Sequence, residues 1–378
     1  MLDYDTLRLI WWGLIAILLL GYAIMDGFDL GVATLLPFVA RNDSQRRVLI
    51  NAIGPTWDGN QVWLVLGLGA IFAAWPAVYG AAFSGMYAAM LIMLFALFLR
   101  PVGFDYRSKI PSATWRNMWD IALFIGGFVP ALVMGIAFAN LLQGVPFHFD
   151  ETFRSFYTGS LMDLLNPFAL LTGLLSVSML SMHGGTFLLI KTEGEIQQRA
   201  LYSARLCATV TIALFLSAGY ILMNHIAGYQ IVSVIHASAP STPFGVAITK
   251  HIGAWMHNFS IHPWMWCAPF LGIAGALLVI YLGDRRPHIS WLASSTSISG
   301  IASTAGLAMF PFILPSSSQP SQSLLVWNAT SSQQTLWLML IAAGIFMPII
   351  IAYTSWVFRV LRGKVTVESI AENEHTAY

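Results

Sequence analysis

An acid, two amides and two tryptophans lie together just ahead of an apolar run that continues to Phe72. They belong to the stretch Trp57-Asp58-Gly59-Asn60-Gln61-Val62-Trp63. If one helix runs on from Arg47, Asp58 lies about eleven residues, or roughly 16 Å, into a bilayer at ~1.5 Å per residue. A carboxylate at that depth costs roughly 2.5 to 3.5 kcal/mol, so it should face a protein interior or water. The stretch therefore predicts a polar pathway.

Two further acids, Asp26 and Asp29, are three residues apart and would share one face of a helix. Asp29 precedes Arg41 by twelve residues, which puts it at nearly the depth of Asp58 on the next, antiparallel span. The three acids are expected to converge as a proton relay that opens to the cytoplasm. The alternative is that they cap a broken helix or lie among headgroups, but three acids are more than capping needs.

The segment from Arg100 to Lys109 holds both signs of charge, including Asp105. It fits a charged proton entrance or a surface that docks a partner. It also fits an ordinary positive-inside loop, and spacing alone favours the loop. Asp120, at the start of the following span, is expected to be interfacial rather than buried.

The histidines do not predict a metal site. His183 lies well inside an apolar span but has no partner at a matching depth, so a haem or copper ligand is not indicated. The remaining candidates are scattered around one long loop without the fixed spacing that a metal requires. They are His225, His236, His251, His257 and His262. The many serines and threonines between 290 and 304 are expected to serve helix packing rather than a wet path.

Composition places the whole chain in a membrane. Of 378 residues only 9% are charged and 57% are hydrophobic, with a mean hydropathy of +0.71. These values exclude a soluble fold and indicate an all-α, polytopic protein with a single integral membrane domain over 1–378. The net charge of +1 gives no reason to expect nucleic acid as a partner.

Runs of about twenty apolar residues predict nine transmembrane helices. They lie near 8–36, 50–75, 78–99, 117–141, 164–190, 204–226, 262–283, 290–314 and 334–358. Gly27 and Gly31 are expected to kink or tilt the first. Fifteen of the 18 lysines and arginines fall in alternate connections and the C-terminal tail, which predicts a periplasmic N-terminus and a cytoplasmic C-terminus. The end from Glu368 to Tyr378 is expected to be polar and mobile.

Without a phosphate-binding loop, a dinucleotide motif or a hydrolytic triad, two function classes remain. One is a non-catalytic subunit that supplies protons to a redox partner. The other is a stand-alone proton-coupled secondary transporter, which would typically show two related halves. Nine spans without a visible repeat argue against the transporter.

At this point the motifs resemble subunit II of the cytochrome bd family of bacterial ubiquinol oxidases, over essentially the whole chain. The matching segments are 10–12, 26–29, 57–63, 72–76, 100–107, 140–147 and 309–312. The resemblance implies a multi-pass inner-membrane protein paired with a haem-bearing subunit I and with small single-helix accessory subunits. It also implies a complex in membrane lipid that oxidises ubiquinol and reduces O2 to water. Protons drawn from the cytoplasm would make the reaction electrogenic.

The same resemblance implies where the cofactors lie and which residues of this chain are involved. Two b-type haems and one d-type haem would be ligated by subunit I, and some members hold a ubiquinone in subunit II. Catalytic residues and metal ligands are therefore not expected here. Asp58, Asp26, Asp29 and Asp105 would lie on a proton path. Trp63 would border an access channel or subunit interface that also includes Trp57, Asn60, Gln61, Arg100 and Lys109.

Overall fold

Helices make up most of the computed structural model, which describes residues 2–234, 238–283 and 285–372. The first seven helices are α1 (Tyr4–Met25), α2 (Gly27–Val39), α3 (Asp43–Ile53), α4 (Trp57–Ala74), α5 (Pro76–Gly85), α6 (Tyr87–Tyr106) and α7 (Ala113–Gln143). The others are α8 (Pro167–Lys191), α9 (Gly194–Asn224), α10 (His257–Ile261), α11 (Cys267–Leu282), α12 (Pro287–Met309), α13 (Gln333–Val360) and α14 (Val367–Glu372).

Seven helical segments in the described part of the chain are long and apolar enough to cross a membrane. They are Tyr4–Val39, Tyr87–Tyr106, Ala113–Gln143, Pro167–Lys191, Gly194–Asn224, Pro263–Leu282 and Gln333–Val360. The pair α4 and α5 qualifies together as an eighth, although it is bent by 118°. The predicted eighth span, 290–314, corresponds to α12, a 23-residue helix. Its serines and threonines lower its hydropathy.

The second predicted span is wrong at its start. Residues 43–53 form a separate amphipathic helix, capped by Asn42, whose side chain accepts a hydrogen bond from the Gln45 amide at 2.9 Å. Pro55 follows, and because proline has no N–H it favours a helix break here. The membrane helix α4 therefore begins only at Trp57. Asp58 lies in the first turn of α4 rather than half-way along a continuous span.

The third predicted span is displaced by about nine residues. Trp75 has φ −130° and ψ 70°, a non-helical conformation, and the residue before a proline is disfavoured from the helical region. The chain turns sharply here, and the short helix α5 occupies residues that the prediction placed in span 3. The apolar helix that follows is α6, which begins at Tyr87.

The long connections add three two-stranded antiparallel sheets that the all-α prediction did not contain. The pairs are β1 (Phe147–Phe149) with β2 (Ser155–Tyr157), β3 (Ala227–Ile231) with β4 (Ile248–Ile252), and β5 (Phe312–Leu314) with β6 (Leu324–Leu325). These connections contact one another and the N-terminus. The Tyr4 hydroxyl donates to Ser331 O at 2.6 Å, and Val145 N donates to Pro315 O at 2.9 Å. Together they form one end of the helix bundle.

The remaining connections meet at the opposite end. Arg107, after α6, contacts Asp43 of α3 at 2.8 Å. The C-terminal segment returns to the α8–α9 connection, where Val365 N donates to Lys191 O at 2.7 Å. Ile370 in α14 is buried against the apolar core beneath α3. The start of the predicted mobile tail is therefore part of α14, whose Ile370 is docked on the core, and residues 373–378 lie outside the described part.

Close packing of α2 on α8 fixes the centre of the bundle. A Cβ added at Gly31 would overlap the carbonyl oxygen of Leu180, and one at Gly184 would lie 2.5 Å from the backbone of Gly31. Only glycine permits this approach of two backbones. The first span is interrupted only at Asp26, directly before Gly27, and Tyr4–Val39 still qualifies as one membrane-spanning segment. Gly31 serves as a contact point with α8.

Candidate functional site

A buried ion pair lies at the junction of α1 and α2. Arg100 of α6 donates from Nη2 to Asp26 Oδ1 at 2.7 Å and from Nη1 to Asp26 Oδ2 at 3.0 Å. Both side chains are almost completely inaccessible. The two parallel bonds hold the planar guanidinium against the carboxylate, a strong and geometrically specific arrangement.

Asp29 is the second acid of this cluster and is bound less completely. Its Oδ2 accepts from Asn60 Nδ2 at 2.8 Å and lies 4.0 Å from Arg100 Nη2. Its Oδ1 is buried and has no hydrogen-bond partner in the described structure. The buried hydroxyl of Tyr22 lies close to the Asp26 carboxylate. We call Asp26, Asp29, Asn60 and Arg100 the buried cluster.

Four helices position the buried cluster. Asp26 and Asp29 lie on the junction and first turn of α2, Asn60 comes from α4 and Arg100 from α6. Gly126 of α7 allows the arginine to pass, because a Cβ there would lie 2.9 Å from Arg100 Cγ. The sequence prediction that Asp26 and Asp29 share a face is confirmed, whereas the pairing of Arg100 with Asp26 was missed. A lone arginine in an apolar helix needs a buried partner, which was the available signal.

The charges of the buried cluster do not balance. One guanidinium compensates one carboxylate, and Asp26 takes both strong bonds. A second ionised carboxylate would leave an uncompensated charge in a dry interior, which is costly. The cluster becomes neutral when one proton is bound, and Asp29 is the acid with a free oxygen atom. Its chemistry is therefore that of a site for a single proton.

Asp58 is not part of the buried cluster. Its side chain is exposed in the first turn of α4, and no hydrogen bond or ion pair of the described residues joins it to Asp26 or Asp29. The expected convergence of three acids is therefore wrong for Asp58. Two residues later, Asn60 is buried against Asp29. The first turn of α4 thus connects the protein surface to the buried cluster.

Asp105 and Lys109 are also exposed, at the end of α6 and just beyond it. The half-buried ring of Trp57 contacts the ring of Phe104, with centroids 5.7 Å apart. This contact brings the start of α4 beside the end of α6. Asp58 and Asp105, each next to one of these rings in sequence, therefore lie at the same end of the bundle.

Trp63 and Gln61 lie further along α4. Trp63 is buried, and its ring covers Gly21 of α1 so closely that a Cβ there would lie 2.5 Å from it. Gln61 is half-buried. Trp63 therefore packs α4 on α1 within this chain, and its predicted position at the edge of an access channel stays a prediction.

A second charged cluster at the same end was missed by the sequence analysis. Asp120 accepts from Arg107 Nε at 2.6 Å and from Arg46 Nη1 at 2.7 Å. Asp43 accepts from Arg107 Nη2 and from Arg116 Nη1, both at 2.8 Å. We call these five residues the face cluster. Asp120 is buried rather than interfacial, contrary to prediction, because its bonds to two arginines offset the free-energy cost of its desolvation.

Electrostatics supports the pairing in the face cluster. Burial alone lowers the pKa of Arg107, but the hydrogen bonds and charges of Asp120 and Asp43 outweigh it and raise the pKa above its ordinary value. Arg107 is therefore a permanent cation that joins α3, α6 and α7. The ordinary-loop interpretation of this segment omitted that structural role.

The described residues do not offer a haem site around His183. Its Nδ1 lies 2.7 Å from Ser294 Oγ and its Nε2 lies 3.0 Å from the carbonyl oxygen of Ile24, so both ring nitrogens are engaged. Among the described residues no group of three or more His, Cys, Asp or Glu has metal-binding geometry. His236, one of the loop histidines considered above, lies outside them.

Comparison with known proteins identifies the family. A family model described as cytochrome bd terminal oxidase subunit II matches residues 7–361. Cytochrome bd-I ubiquinol oxidase subunit 2 of Escherichia coli K12 is 50% identical over 380 residues, covering 100% of both chains. A probable cytochrome oxidase subunit 2 of Haemophilus influenzae is 48% identical over 379 residues, again covering 100% of both.

A more distant relative and a solved structure are also similar to this chain. Cytochrome bd ubiquinol oxidase subunit 2 of Bacillus subtilis is 31% identical over 365 residues, covering 96% of this chain and 97% of the relative. A chain of the bd oxidase of Geobacillus thermodenitrificans has the same fold, with a TM-score of 0.71 at 17% identity and coverage of 94% and 98%. The chain belongs to the cytochrome bd terminal oxidase subunit II family.

Proposed function

We propose that this chain is the non-haem subunit of a quinol oxidase that oxidises ubiquinol and reduces O2 to water in the bacterial inner membrane. Its relatives along the full length bear the name of that enzyme. In this proposal the chain supports the haem-bearing subunit I and supplies it with protons. The transporter alternative is not favoured, because full-length membership of an oxidase family leaves it without support.

We also propose nine membrane crossings, with the N-terminus outside and the C-terminus in the cytoplasm. The crossings are α1–α2, α4, α6, α7, α8, α9, α11, α12 and α13, while α5 lies along the outer end. The contacts that gather the connections at two ends of the bundle support this topology. The lysines and arginines support it independently, because 15 of 18 fall on one side.

The proton path begins at the cytoplasmic end in this proposal. The exposed Asp105 and Lys109 form its entrance, beside Asp58 in the first turn of α4. Asp58 is the exposed carboxylate in the first turn of α4 that would take the proton up from the entrance. The half-buried Trp57 and Gln61 line the surface shared with subunit I or an access channel along it, and Trp63 borders that channel.

The path continues inward through the first turn of α4. Asn60 Nδ2 donates to Asp29, so the turn that exposes Asp58 also touches the acid with a free oxygen atom. This link between an exposed and a buried carboxylate is the observation that carries the proposal. Asp26 is an anchor for Arg100 rather than a carrier, because both of its oxygens are occupied by the guanidinium.

The redox chemistry belongs to the partner. In this proposal two b-type haems and one d-type haem are ligated by subunit I. The bonding of both ring nitrogens of His183 within this chain fits that assignment. Bound haem would supply the electron transfer and oxygen chemistry of the complex. The residues of this chain hold and pass protons, and their exposed apolar helices contact subunit I, small single-helix subunits and lipid.

Substitution of Asp58 tests the path. Asp58→Asn keeps the shape but removes the titratable group, and we expect oxygen consumption with ubiquinol to fall at least about ten-fold at normal haem content. Asp3→Asn is the matched control, because Asp3 is exposed at the other end and its side chain makes no capping bond. Wild-type turnover in Asp58→Asn would remove Asp58 from the path.

Purification tests the assignment as an oxidase subunit. The tagged chain, extracted in a mild detergent, is expected to bring a larger partner and the visible absorption of haem. Chelation or salt washing at neutral pH should not separate them. A colourless chain that purifies alone and moves protons in vesicles would favour the transporter instead.

A further inference from the structure

His183 is the one histidine in the described part of the chain that is completely buried within a membrane helix. The proton path does not use it and it ligates nothing in this chain. Its ring is stacked on Trp291, with centroids 5.7 Å apart, and meets the edge of Phe28 at 6.1 Å. A polar ring that is enclosed on all sides is expected to form hydrogen bonds, and its partners indicate its role.

The bond to Ile24 is made with the backbone next to the buried cluster. A carbonyl oxygen only accepts, so Nε2 of His183 carries a proton and donates it to Ile24 O at 3.0 Å. Ile24 precedes Asp26 by two residues and Asp29 by five. The histidine therefore holds the last turn of α1 directly before the interruption at Asp26 that separates it from α2.

The other side of the ring is held by α12. Nδ1 lies 2.7 Å from Ser294 Oγ, and the same hydroxyl lies 2.8 Å from Thr186 Oγ1. The neighbour Gly184 packs directly on the backbone of Gly31, so the height of His183 along α2 is fixed. The ring therefore forms a fixed link between α12 and the α1–α2 junction.

We propose that His183 is a positioning residue that sets the orientation of Asp26 and Asp29 toward Arg100 and Asn60. The line of contacts runs from Ser294 through His183 to Ile24 O. Through these contacts α12 and α8 fix the position of the α1–α2 junction, which carries Asp26 and Asp29. The inference rests on the proposed function to the extent that Asp29 holds a proton.

Two substitutions separate the hydrogen bond from the packing. His183→Phe keeps an aromatic ring between Trp291 and Phe28 but cannot donate to Ile24. His183→Gln keeps an N–H that can reach the same carbonyl. We expect His183→Phe to lower oxygen consumption about five-fold, at the low end of coupling between sites, and His183→Gln to restore most of it.

Infrared spectroscopy of the purified oxidase complex supplies the readout that a merely structural role would not change. The carboxylic-acid band that disappears in Asp29→Asn is first assigned to Asp29. In His183→Phe this band should shift, and in His183→Gln it should return toward its original position. An unshifted band in a folded His183→Phe complex with normal haem content would overturn the proposal.

A pair of serines on α12 provides the matched control. Ser294→Ala removes the contact to His183, whereas Ser297→Ala removes an equally buried hydroxyl that donates to Gly272 O at 2.7 Å. Only Ser294→Ala should shift the Asp29 band. If Asp29→Asn changes neither the spectrum nor turnover, the proposed function fails. If it changes both while the His183 and Ser294 variants change neither, only the positioning role fails.

Discussion

The buried cluster and the face cluster both pair arginine with aspartate around α6. Aspartates outnumber arginines in the buried cluster, whereas arginines outnumber aspartates in the face cluster. Arg100 and Arg107 are seven residues apart on α6 and its end, or roughly 10 Å along the axis. Around Arg100 two aspartates share one arginine. Around Arg107 three arginines share two aspartates.

The surroundings explain why each proportion is tolerated. The face cluster reaches water, since the Asp43 side chain is 40% exposed, and its surplus positive charge suits the cytoplasmic side on which the proposed topology places it. The buried cluster does not reach water, and its surplus charge is that of a carboxylate enclosed in protein. Ion pairs in this bundle thus join helices where charge is matched or hydrated, whereas the unmatched buried pair is the site at which we propose that a proton is held.

Replacing the central arginine of each cluster should produce the largest difference in stability between them. Arg100→Met strands two buried acids without a cation, and breaking a buried pair in this way costs about 3–5 kcal/mol. We expect little assembled complex and a large fall in its thermal stability. The measurements are the yield of haem-containing complex and its unfolding by differential scanning calorimetry.

Arg107→Met is the matched variant. Asp120 keeps Arg46 and Asp43 keeps Arg116, so each acid retains a cation. We expect a loss of only about 1–2 kcal/mol, as for an interaction near the surface with partners remaining. Equal losses in the two methionine variants would mean that charge balance does not distinguish the clusters.

The two acids of the buried cluster are expected to differ in their effects on stability and turnover. Asp26→Asn removes the partner of both strong bonds from Arg100, and we expect destabilisation by about 1.5–3 kcal/mol. Asp29→Asn removes the surplus carboxylate and keeps an amide beside Asn60, so stability should hold while oxygen consumption slows. Thermal unfolding and turnover are measured together on both variants. Greater destabilisation by Asp29→Asn would reverse the roles assigned to these acids.

Sequence patterns predicted the helices wherever the whole apolar run was one element. The last six predicted spans agree with helices to within ten residues at each end. The second and third did not, because hydropathy is blind to proline-induced breaks within a continuous apolar region. Pro55 lies in the turn between α3 and α4 and Pro76 begins α5, and the first of these breaks places Asp58 at the start of α4 rather than in the interior.

The candidate site was predictable in content but not in geometry. Asp26, Asp29, Asn60 and Arg100 were each singled out by type, and spacing correctly placed the first two on one face. Pairing between helices depends on rotation and height, which close contacts such as Gly31 on Gly184 determine. Spacing along the chain carries no such information, so Arg100 appeared as an interface residue and Asp120 as interfacial.

Neutralising one acid of the face cluster should have the smallest effect of the series. In Asp120→Asn, Arg107 keeps Asp43 and Arg46 keeps Asn117, to which it donates at 2.8 Å. The added positive charge lies near water, where it is screened, so we expect a loss of about 1 kcal/mol. Thermal unfolding of the complex at low and high salt measures it, and the loss should shrink with salt. A loss as large as that of Asp26→Asn, and independent of salt, would mean that Asp120 belongs electrostatically to the membrane interior and that the two clusters are not different in kind.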